Sequence, residues 1–315
     1  MKDLFGGIVQ VKKDGEWYIP VRFTDSQLQS YAIAESSRIR SLSPSGCKLE
    51  FYSKAKSLEF NYRIGGKARR WAAFDVWENG MFKNTISVND DNGHVRFVLS
   101  GDESIKVEIF LPHLVELAIK DIKADMPLNP VEKKEKLWMC LGDSVTQGMD
   151  AVNPSLTYPV LASKLMQYDV LNMGVGGAAF CMENLDYIGR EPDLITVSFG
   201  SNDWGKVKDA NELKHNVGCY LERLTTLYST RNIFGILPTW RSDADTMRSF
   251  MTFPEMRRVI AEEYKKYPFI KVLDGMALVP AITMFYGDAG DLKAHPNEKG
   301  FLYFSMKLVN EIKDR

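Results

Sequence analysis

Residues Leu137 to Gly148 read Leu-Trp-Met-Cys-Leu-Gly-Asp-Ser-Val-Thr-Gln-Gly, and this sequence predicts a buried strand followed by a sharp turn. Its first five residues form a continuous apolar run, which is typical of a strand buried on both faces of a parallel sheet. The run breaks sharply at Gly142-Asp143-Ser144, and a helix-compatible segment follows. Open α/β sheets bind ligands at the carboxyl ends of their strands, so Ser144 is a candidate functional residue. Gly-Asp-Ser is also ordinary turn chemistry, so the stretch alone does not separate a turn from a site.

Two later apolar runs end in similar loops. Val170–Met173 is followed by Gly174-Val175-Gly176-Gly177, and Leu194–Phe199 is followed by Gly200-Ser201-Asn202-Asp203. Near the end of the chain stands His295-Pro296-Asn297. A serine, a glycine, an asparagine and a histidine therefore each lie just past a strand or in a late loop. In this order the four blocks resemble the motif blocks of the SGNH (GDSL) hydrolase family, over about residues 135–315.

Strand and helix patterns alternate from Leu137 onward, which predicts a parallel sheet with right-handed crossovers. The resemblance implies the family's fold, a flavodoxin-like three-layer α/β/α sandwich with five parallel strands. Helices are expected near Pro159, through Met182–Ile188, over 209–228, near 254–266 and after His295.

The resemblance also implies roles for the motif residues. Ser144 is the expected nucleophile, and His295 is the expected base that activates it. The expected oxyanion hole consists of the Ser144 backbone N–H, the Gly177 backbone N–H and the Asn202 side-chain amide. Gly177 is preferred to Gly174 because the family's glycine comes about five residues after the asparagine that ends the second strand. The implied reaction is acyl transfer to water through an acyl-serine, and it requires no metal or cofactor.

The triad acid is the point at which the sequence departs from the family. The family usually places an aspartate three residues before the histidine, but Leu292 occupies that position here. Asp291 and Asp288 lie four and seven residues before His295. One inserted loop residue, a different acid, or a Ser–His dyad oriented by a backbone carbonyl would each explain this. We predict Asp291, because a turn beside Gly290 can absorb one extra residue.

Other residues near the strand ends are candidates for support or substrate contact. Asp143 and Asp203 are expected to hold the two loops rather than to react. Trp204, Trp240 and Arg241 follow strand ends and could line the substrate pocket, although core packing is an equal alternative for the tryptophans.

The first 128 residues show a different pattern. Short segments rich in β-branched and aromatic residues alternate with turn signals at Asp14-Gly15, Gly65-Gly66, Asn79-Gly80, Asn92-Gly93 and Gly101-Asp102. The pattern predicts a β-sandwich or jelly roll over 1–128, a charged linker over 129–136 and a catalytic domain over 137–315.

Some SGNH hydrolases that act on carbohydrate esters resemble this layout, with a β-sandwich before the catalytic domain. The sandwich could bind sugar through Trp71 or Trp77, or it could border the active-site cleft and help assembly. We favour the second role, because aromatic residues in strands more often belong to a core. The expected function is a serine esterase that deacetylates O-acetylated carbohydrates. A short-chain lipid or thioester acylhydrolase and a non-catalytic carbohydrate-binding protein are the alternatives.

The composition of the chain limits the other functions that the protein could have. The 315-residue chain is 45% hydrophobic and carries a formal net charge of -1, which gives no electrostatic case for nucleic acid or membrane binding. The expected partner is a small acylated substrate such as a sugar ester, and homo-oligomerisation is left open. The four cysteines form no metal-ligand spacing, and no signal peptide is visible, so a cytoplasmic enzyme with reduced thiols is expected.

Overall fold

The computed structural model describes residues 1–248, 251–287 and 292–314, and the chain has two parts. The first part consists mainly of antiparallel strands. Its strands and helices, in chain order, are β1 (Phe5–Gly6), β2 (Gln10–Asp14), β3 (Trp17–Val21), α1 (Asp25–Tyr31), α2 (Glu35–Leu42), β4 (Lys48–Ser53), β5 (Ser57–Lys67), β6 (Ala72–Glu78), β7 (Met81–Val88), β8 (Asn92–Val98), β9 (Ile105–Phe110), β10 (Val115–Ala124) and β11 (Asn129–Pro130).

These strands form two antiparallel sheets, as predicted for a β-sandwich. One sheet has the order β1-β4-β9-β6-β7, with β11 paired to β4, and the other has the order β2-β3-β10-β5-β8. The buried side chains of both sheets share one apolar core, which includes Phe51, Phe60, Phe74 and Phe97. The aromatic residues therefore hold the sandwich together, since Phe60 and Phe74 meet edge to face with ring centroids 5.5 Å apart.

Two features of the first part differ from the sequence prediction. The helices α1 and α2 lie between β3 and β4, and an all-β pattern did not indicate them. The pairs Gly65-Gly66 and Asn92-Gly93 lie within β5 and β8 rather than in turns. The reason at Gly93 is close packing, because a Cβ there would come within 2.6 Å of the Tyr62 hydroxyl. The Asn79-Gly80 turn between β6 and β7 is confirmed.

The second part alternates strands and helices. Its elements are β12 (Leu137–Gly142), α3 (Ser144–Gln147), α4 (Tyr158–Met166), β13 (Asp169–Gly174), β14 (Leu194–Ser198), α5 (Ala210–Leu227), β15 (Ile233–Ile236), β16 (Met247–Arg248), β17 (Met251–Thr252), α6 (Phe253–Lys265), β18 (Ile270–Leu273), α7 (Gly275–Leu278) and α8 (Glu298–Lys313). The helix expected through Met182–Ile188 is wrong. Only a short 3-10 turn, Met182–Asn184, lies there.

Five of these strands form one parallel sheet in the order β13-β12-β14-β15-β18. This is the flavodoxin-like order 2-1-3-4-5, so the predicted fold class is confirmed. Side chains of β12 alternate between the two faces: Trp138 belongs to the core beneath α4 and α8, and Met139 to the core beneath α5 and α6. A strand covered on both faces has no wet side, which is why its sequence is apolar without interruption.

The first part packs directly against the catalytic sheet. Asp75 on β6 is fully buried, and its Oδ2 accepts hydrogen bonds from the Ser155 backbone N–H and hydroxyl at 2.9 and 2.7 Å. Arg22, just after β3, donates through Nη1 to the carbonyl of Gly174 at 3.0 Å. Gly174 is the last residue of β13, and Ser155 lies in the segment between α3 and α4, so the sandwich lies against the edge at which ligands bind in this fold.

Candidate active site

Ser144 lies at the junction between β12 and α3. Asp143 is the N-cap residue of α3, and its Oδ1 accepts a hydrogen bond from the Val145 backbone N–H at 3.0 Å. The short helix ends at Gly148, whose φ of 92° is the left-handed conformation favoured by glycine. The Gly-Asp-Ser sequence therefore ends the strand, caps the helix and leaves Ser144 half-buried on the first helical residue.

His295 meets Ser144 directly. Its Nε2 lies 2.9 Å from the Ser144 Oγ, across 151 residues of sequence. The loop that carries the histidine is fixed at both sides, since the Gly287 N–H donates to the His295 carbonyl at 2.9 Å and Pro296 forms an antiparallel bridge with Tyr286. A hydroxyl within hydrogen-bond reach of an imidazole is the arrangement required of a nucleophile and its base.

The other imidazole nitrogen faces an aspartate that the sequence did not suggest. His295 Nδ1 lies 3.4 Å from Oδ2 of Asp150, six residues after Ser144. The other carboxylate oxygen of Asp150 accepts from Arg69 Nε and Nη2 at 3.0 and 2.8 Å. The predicted acid, Asp291, and its alternative, Asp288, both lie outside the described residues.

Asp150 is buried, with 6% of the surface of the whole residue exposed. Burial alone would raise its pKa, but the hydrogen bond and charge of His295 and the adjacent Arg69 guanidinium bring the pKa below its usual value. The backbone of Asp150 has a φ of 73°, in the left-handed region, and this conformation directs its side chain toward His295. Gly287 makes the approach feasible, because a Cβ at Gly287 would lie 2.5 Å from the Asp150 Cβ.

The expected oxyanion donors occupy the loops that follow β12, β13 and β14. Gly177 has a φ of 83°, and its carbonyl accepts from Lys206 Nζ at 2.6 Å. The Asn202 amide donates to the Ala178 carbonyl at 2.9 Å, so this side chain spans the second and third loops. Within residues 1–248, 251–287 and 292–314, the backbone N–H groups of Ser144 and Gly177 have no acceptor, which leaves them able to bind an oxyanion.

Asp143 and Asp203 hold these loops through contacts with Asn202 and Phe180. Asp203 is fully buried, and its Oδ1 accepts from the Phe180 N–H at 3.1 Å. Asp143 Oδ2 lies 3.5 Å from the Asn202 amide nitrogen. Burial raises the pKa of Asp143 to about 6 and that of Asp203 to about 7. Neither carboxylate contacts the Ser144 hydroxyl, so their positions fit the supporting roles expected of them.

Of the residues expected to line the pocket, Trp204 requires correction. It is fully buried, and its Nε1 donates to the Met251 carbonyl at 2.9 Å, so it belongs to the core. Arg241 is 7% exposed and pairs with Asp243, while its Nη1 donates to the Ser201 carbonyl at 3.2 Å. It therefore braces the Asn202 loop. Trp240 is half-buried against Tyr286 and remains a candidate for substrate contact.

The sequence interpretation also missed residues that hold the glycine loop. Gln147 Oε1 accepts from the Gly176 N–H at 2.7 Å. Arg40, on α2 of the first part, donates to the Gly176 carbonyl at 2.9 Å. Gln147 could have been noted from its place three residues after Ser144. No sequence signal connects Arg40 with Gly176, because the contact depends on how the two parts pack.

The part of the chain that the structure describes contains no group of three or more histidine, cysteine or carboxylate side chains arranged to hold a metal ion. Among the helices that the structure describes, none is both long and apolar enough to cross a membrane.

Comparison with solved structures finds the same two-part arrangement elsewhere. A salicylyl-acyltransferase, SsfX3, from a tetracycline biosynthetic pathway is 18% identical, with a TM-score of 0.85 over 98% of this chain and 94% of that one. A family two carbohydrate esterase from Clostridium thermocellum, solved with cellohexaose, is 15% identical, with a TM-score of 0.66 over 85% and 91%. An acetyl xylan esterase, Est2A, from Butyrivibrio proteoclasticus is 13% identical, with a TM-score of 0.64 over 85% and 90%. At these identities the likeness concerns the fold.

The sequence comparisons identify the family. No curated protein matches the sequence. The model of the GDSL-like lipase/acylhydrolase family matches residues 140–301, which is more than half of the 315-residue chain and includes Ser144, Gly177, Asn202 and His295. This chain therefore belongs to the GDSL-like lipase/acylhydrolase family, as an esterase with a β-rich domain in front of its catalytic domain.

Proposed function

We propose that this enzyme hydrolyses short acyl esters, and acetyl esters of carbohydrates in particular, through an acyl-serine intermediate. The observation that carries the proposal is the 2.9 Å contact between His295 Nε2 and Ser144 Oγ. A serine hydroxyl is a weak nucleophile at neutral pH, and a neutral imidazole at this distance can accept its proton as it attacks. Both side chains belong to the family's motif blocks.

In the proposed reaction Ser144 Oγ attacks the ester carbonyl while its proton passes to His295 Nε2. The oxyanion binds to the N–H groups of Ser144 and Gly177 and to the Asn202 amide. His295 then gives the proton to the alcohol oxygen as the C–O bond breaks. A water molecule, deprotonated by His295, attacks the acyl-serine. The bond between the acyl carbon and Ser144 Oγ then breaks, His295 returns the proton to Oγ, and the carboxylic acid leaves.

Asp150 takes the part of the triad acid in this proposal. Its Oδ2, 3.4 Å from His295 Nδ1, would hold the tautomer with the proton on Nδ1 and stabilise the imidazolium that forms. The low pKa of Asp150 keeps it ionised at neutral pH, as this role requires. Asp291 stays an alternative, and the activities of Asp150→Asn and Asp291→Asn decide between the two residues.

The carbohydrate substrate rests on the architecture. Solved structures that resemble 85% of this chain include a carbohydrate esterase in complex with cellohexaose and an acetyl xylan esterase. We expect the sandwich to border the cleft, because Trp71, considered above as a sugar platform, instead donates through its indole Nε1 to the Ala151 carbonyl at 3.1 Å.

The test is hydrolysis by purified protein of p-nitrophenyl acetate, butyrate and palmitate, followed by acetylated xylo-oligosaccharides. We expect turnover of acetate to exceed that of palmitate and acetate to be released from the oligosaccharides. The Ser144→Ala variant serves as the matched control and should be inactive and unlabelled by a fluorophosphonate probe. Absence of turnover for every ester, with no labelling of Ser144 in the wild type, would leave the non-catalytic binding protein as the better reading.

A second candidate is acyl transfer to an alcohol other than water. It is favoured by the similarity of fold to the salicylyl-acyltransferase, which extends over both parts of the chain. The two reactions share the acyl-serine and differ only in the group that attacks it. Adding an acceptor alcohol to the p-nitrophenyl acetate assay distinguishes them, since a transferase forms a new ester at the expense of free acetate.

A further inference from the structure

Arg69 reaches the active site from the first part of the chain. It lies in the short connection between β5 and β6, and its guanidinium binds the Asp150 carboxylate 81 residues later. Both donating nitrogens, Nε and Nη2, contact Oδ1, at 3.0 and 2.8 Å. Oδ2 is left to face His295 Nδ1. One carboxylate oxygen of Asp150 is therefore bound by Arg69, and the other is directed at His295.

The surroundings of this contact are largely closed to solvent. The side chain of Arg69 is 19% exposed and that of Asp150 is 3% exposed. An ion pair excluded from water is screened far less than a surface pair, so the Arg69 charge acts strongly on Asp150. Losing the guanidinium would leave the buried carboxylate with His295 as its one polar side-chain partner among the residues that the structure describes.

Two neighbouring contacts connect the sandwich with the same catalytic segment. The Trp71 indole donates to the Ala151 carbonyl at 3.1 Å. The His113 Nε2 lies 3.1 Å from the Gly148 carbonyl, and burial lowers the pKa of His113 to about 4, so the ring is neutral at pH 7. The sandwich therefore holds the backbone on both sides of Asp150, and Arg69 adds a positive charge beside the Asp150 side chain.

We propose that Arg69 is a positioning residue for ester hydrolysis, which keeps the Asp150 carboxylate ionised and directed at His295. The first domain is then part of the catalytic apparatus rather than an attached binding module. The inference rests on the proposed function, because it assigns Arg69 an effect on the same Ser144–His295–Asp150 site. Arg69 acts through Asp150 and does not touch the substrate.

The experiment compares Arg69→Gln with Arg69→Lys, and with Arg63→Gln as a control. Arg63 lies on β5 of the same domain and pairs with Asp14 at 2.7 Å, with both side chains well exposed. The measurements are kcat, KM and the pH profile of kcat/KM for p-nitrophenyl acetate, the rate of Ser144 labelling by a fluorophosphonate, and the melting temperature.

We expect Arg69→Gln to lower kcat about tenfold to a hundredfold with little change in KM, because chemistry rather than substrate binding is impaired. Removing a positive charge lets the Asp150–His295 pair bind a proton more readily, so the acid limb of kcat/KM moves to higher pH. Arg69→Lys retains the charge and should restore the acid limb and part of kcat. Arg63→Gln should match the wild type in both.

A role in domain assembly alone would lower the melting temperature without moving the acid limb, and that result would overturn the proposal. An additional loss of kcat when Arg69→Gln is added to Asp150→Asn would also overturn the proposal. A residue that acts through Asp150 has no effect once the carboxylate is gone. If Arg69→Gln does not fold, Arg69→Lys decides alone. A loss of kcat smaller than tenfold in Arg69→Lys, with the wild-type acid limb, supports the charge role, and a loss of tenfold or more or a displaced acid limb overturns it.

The labelling rate separates this inference from the proposed function. A wild-type protein that hydrolyses no ester and is not labelled at Ser144 contradicts the proposed function. A wild type labelled at the same rate as Arg69→Gln across the pH range contradicts only the role of Arg69.

Discussion

The Oδ2 atom of Asp150 lies 3.4 Å from Nδ1 of His295, on the side of the imidazole opposite Ser144. The carboxylate comes from the segment just after the nucleophile, not from the loop before the histidine. Its second oxygen is held by Arg69, so the line of contacts runs from the sandwich to the serine hydroxyl. Four residues from three separate stretches of the chain thus form one polar network.

Asp150→Asn should reduce kcat by about 10³–10⁴ with little effect on KM, because an amide at this position favours the wrong imidazole tautomer and cannot stabilise the imidazolium. The measurement is hydrolysis of p-nitrophenyl acetate at neutral pH, with the melting temperature as a check on folding. Asp291→Asn and Asp288→Asn are the matched comparisons, since both were candidates from the sequence. A loss confined to Asp291→Asn would return the role to the residue predicted from the sequence.

Ser144, Gly177 and Asn202 could be predicted because each follows a strand of the parallel sheet, and His295 because it stands in the last motif block of the family. The resemblance to the family implies that Ser144 and His295 meet, and the 2.9 Å distance between Ser144 Oγ and His295 Nε2 agrees with this expectation. Asp150 could not be predicted in the same way. Its contact with His295 depends on a left-handed φ and on the close approach of Gly287, which no local pattern reveals.

In the first domain, too, the strands could be predicted from the sequence but the long-range contacts could not. Its alternating segments predict two sheets, because hydrophobic periodicity is a local property. Arg69 and Trp71 contact the catalytic domain through side chains whose partners lie about 80 residues away. Such contacts follow from the packing of whole domains, so a single sequence contains no signal for them.

Asn202→Ala should lower kcat by about 10²–10³, the loss usual for one oxyanion donor. Because the Asn202 amide also donates to the Ala178 carbonyl, KM and the melting temperature are measured to detect movement of the loop. Ser201→Ala is the control from the same loop, and it leaves intact the backbone carbonyl that Arg241 contacts. Activity of Asn202→Ala within twofold of the wild type would mean that the oxyanion hole is elsewhere.

Arg22→Met should lower the free energy of unfolding by about 3 kcal/mol or more, because it removes the hydrogen bonds that one buried guanidinium donates to four carbonyl groups. Burial lowers the pKa of Arg22 only to about 10, so the side chain is charged at pH 7. Its guanidinium donates to the carbonyls of Ser43, Asn172, Gly174 and Arg40.

Urea unfolding at pH 7 measures the loss for Arg22→Met. Arg22→Lys should restore little of it, since one ammonium cannot reach four carbonyls. Arg63→Gln, which removes a surface ion pair, should change the free energy of unfolding by less than about 1 kcal/mol. Equal stability of Arg22→Met and the wild type would show that these contacts do not hold the domains together.

The buried carboxyl group of Asp203 gives the protein a pH-dependent stability. Burial raises the pKa of Asp203 to about 7, whereas an aspartate in an unfolded chain has a pKa of about 3.9. Between these values the folded protein keeps a proton that the unfolded chain has released. The contribution of Asp203 is therefore fully present below about pH 4 and is lost as the pH rises through about 7.

Asp203→Asn removes this titration and still offers an oxygen to the Phe180 N–H, which Asp203 Oδ1 binds at 3.1 Å. The difference in free energy of unfolding, variant minus wild type, should therefore become more favourable to the variant as the pH rises from 4.5 to 8. Urea midpoints of the two proteins at pH 4.5, 6 and 8 measure it, and subtraction cancels the other titrating groups. Asp245→Asn, at an exposed position, removes the same charge without burial and is the control. A difference for Asp203→Asn that stays constant over this range would mean that Asp203 is already ionised at pH 4.5 in the folded protein.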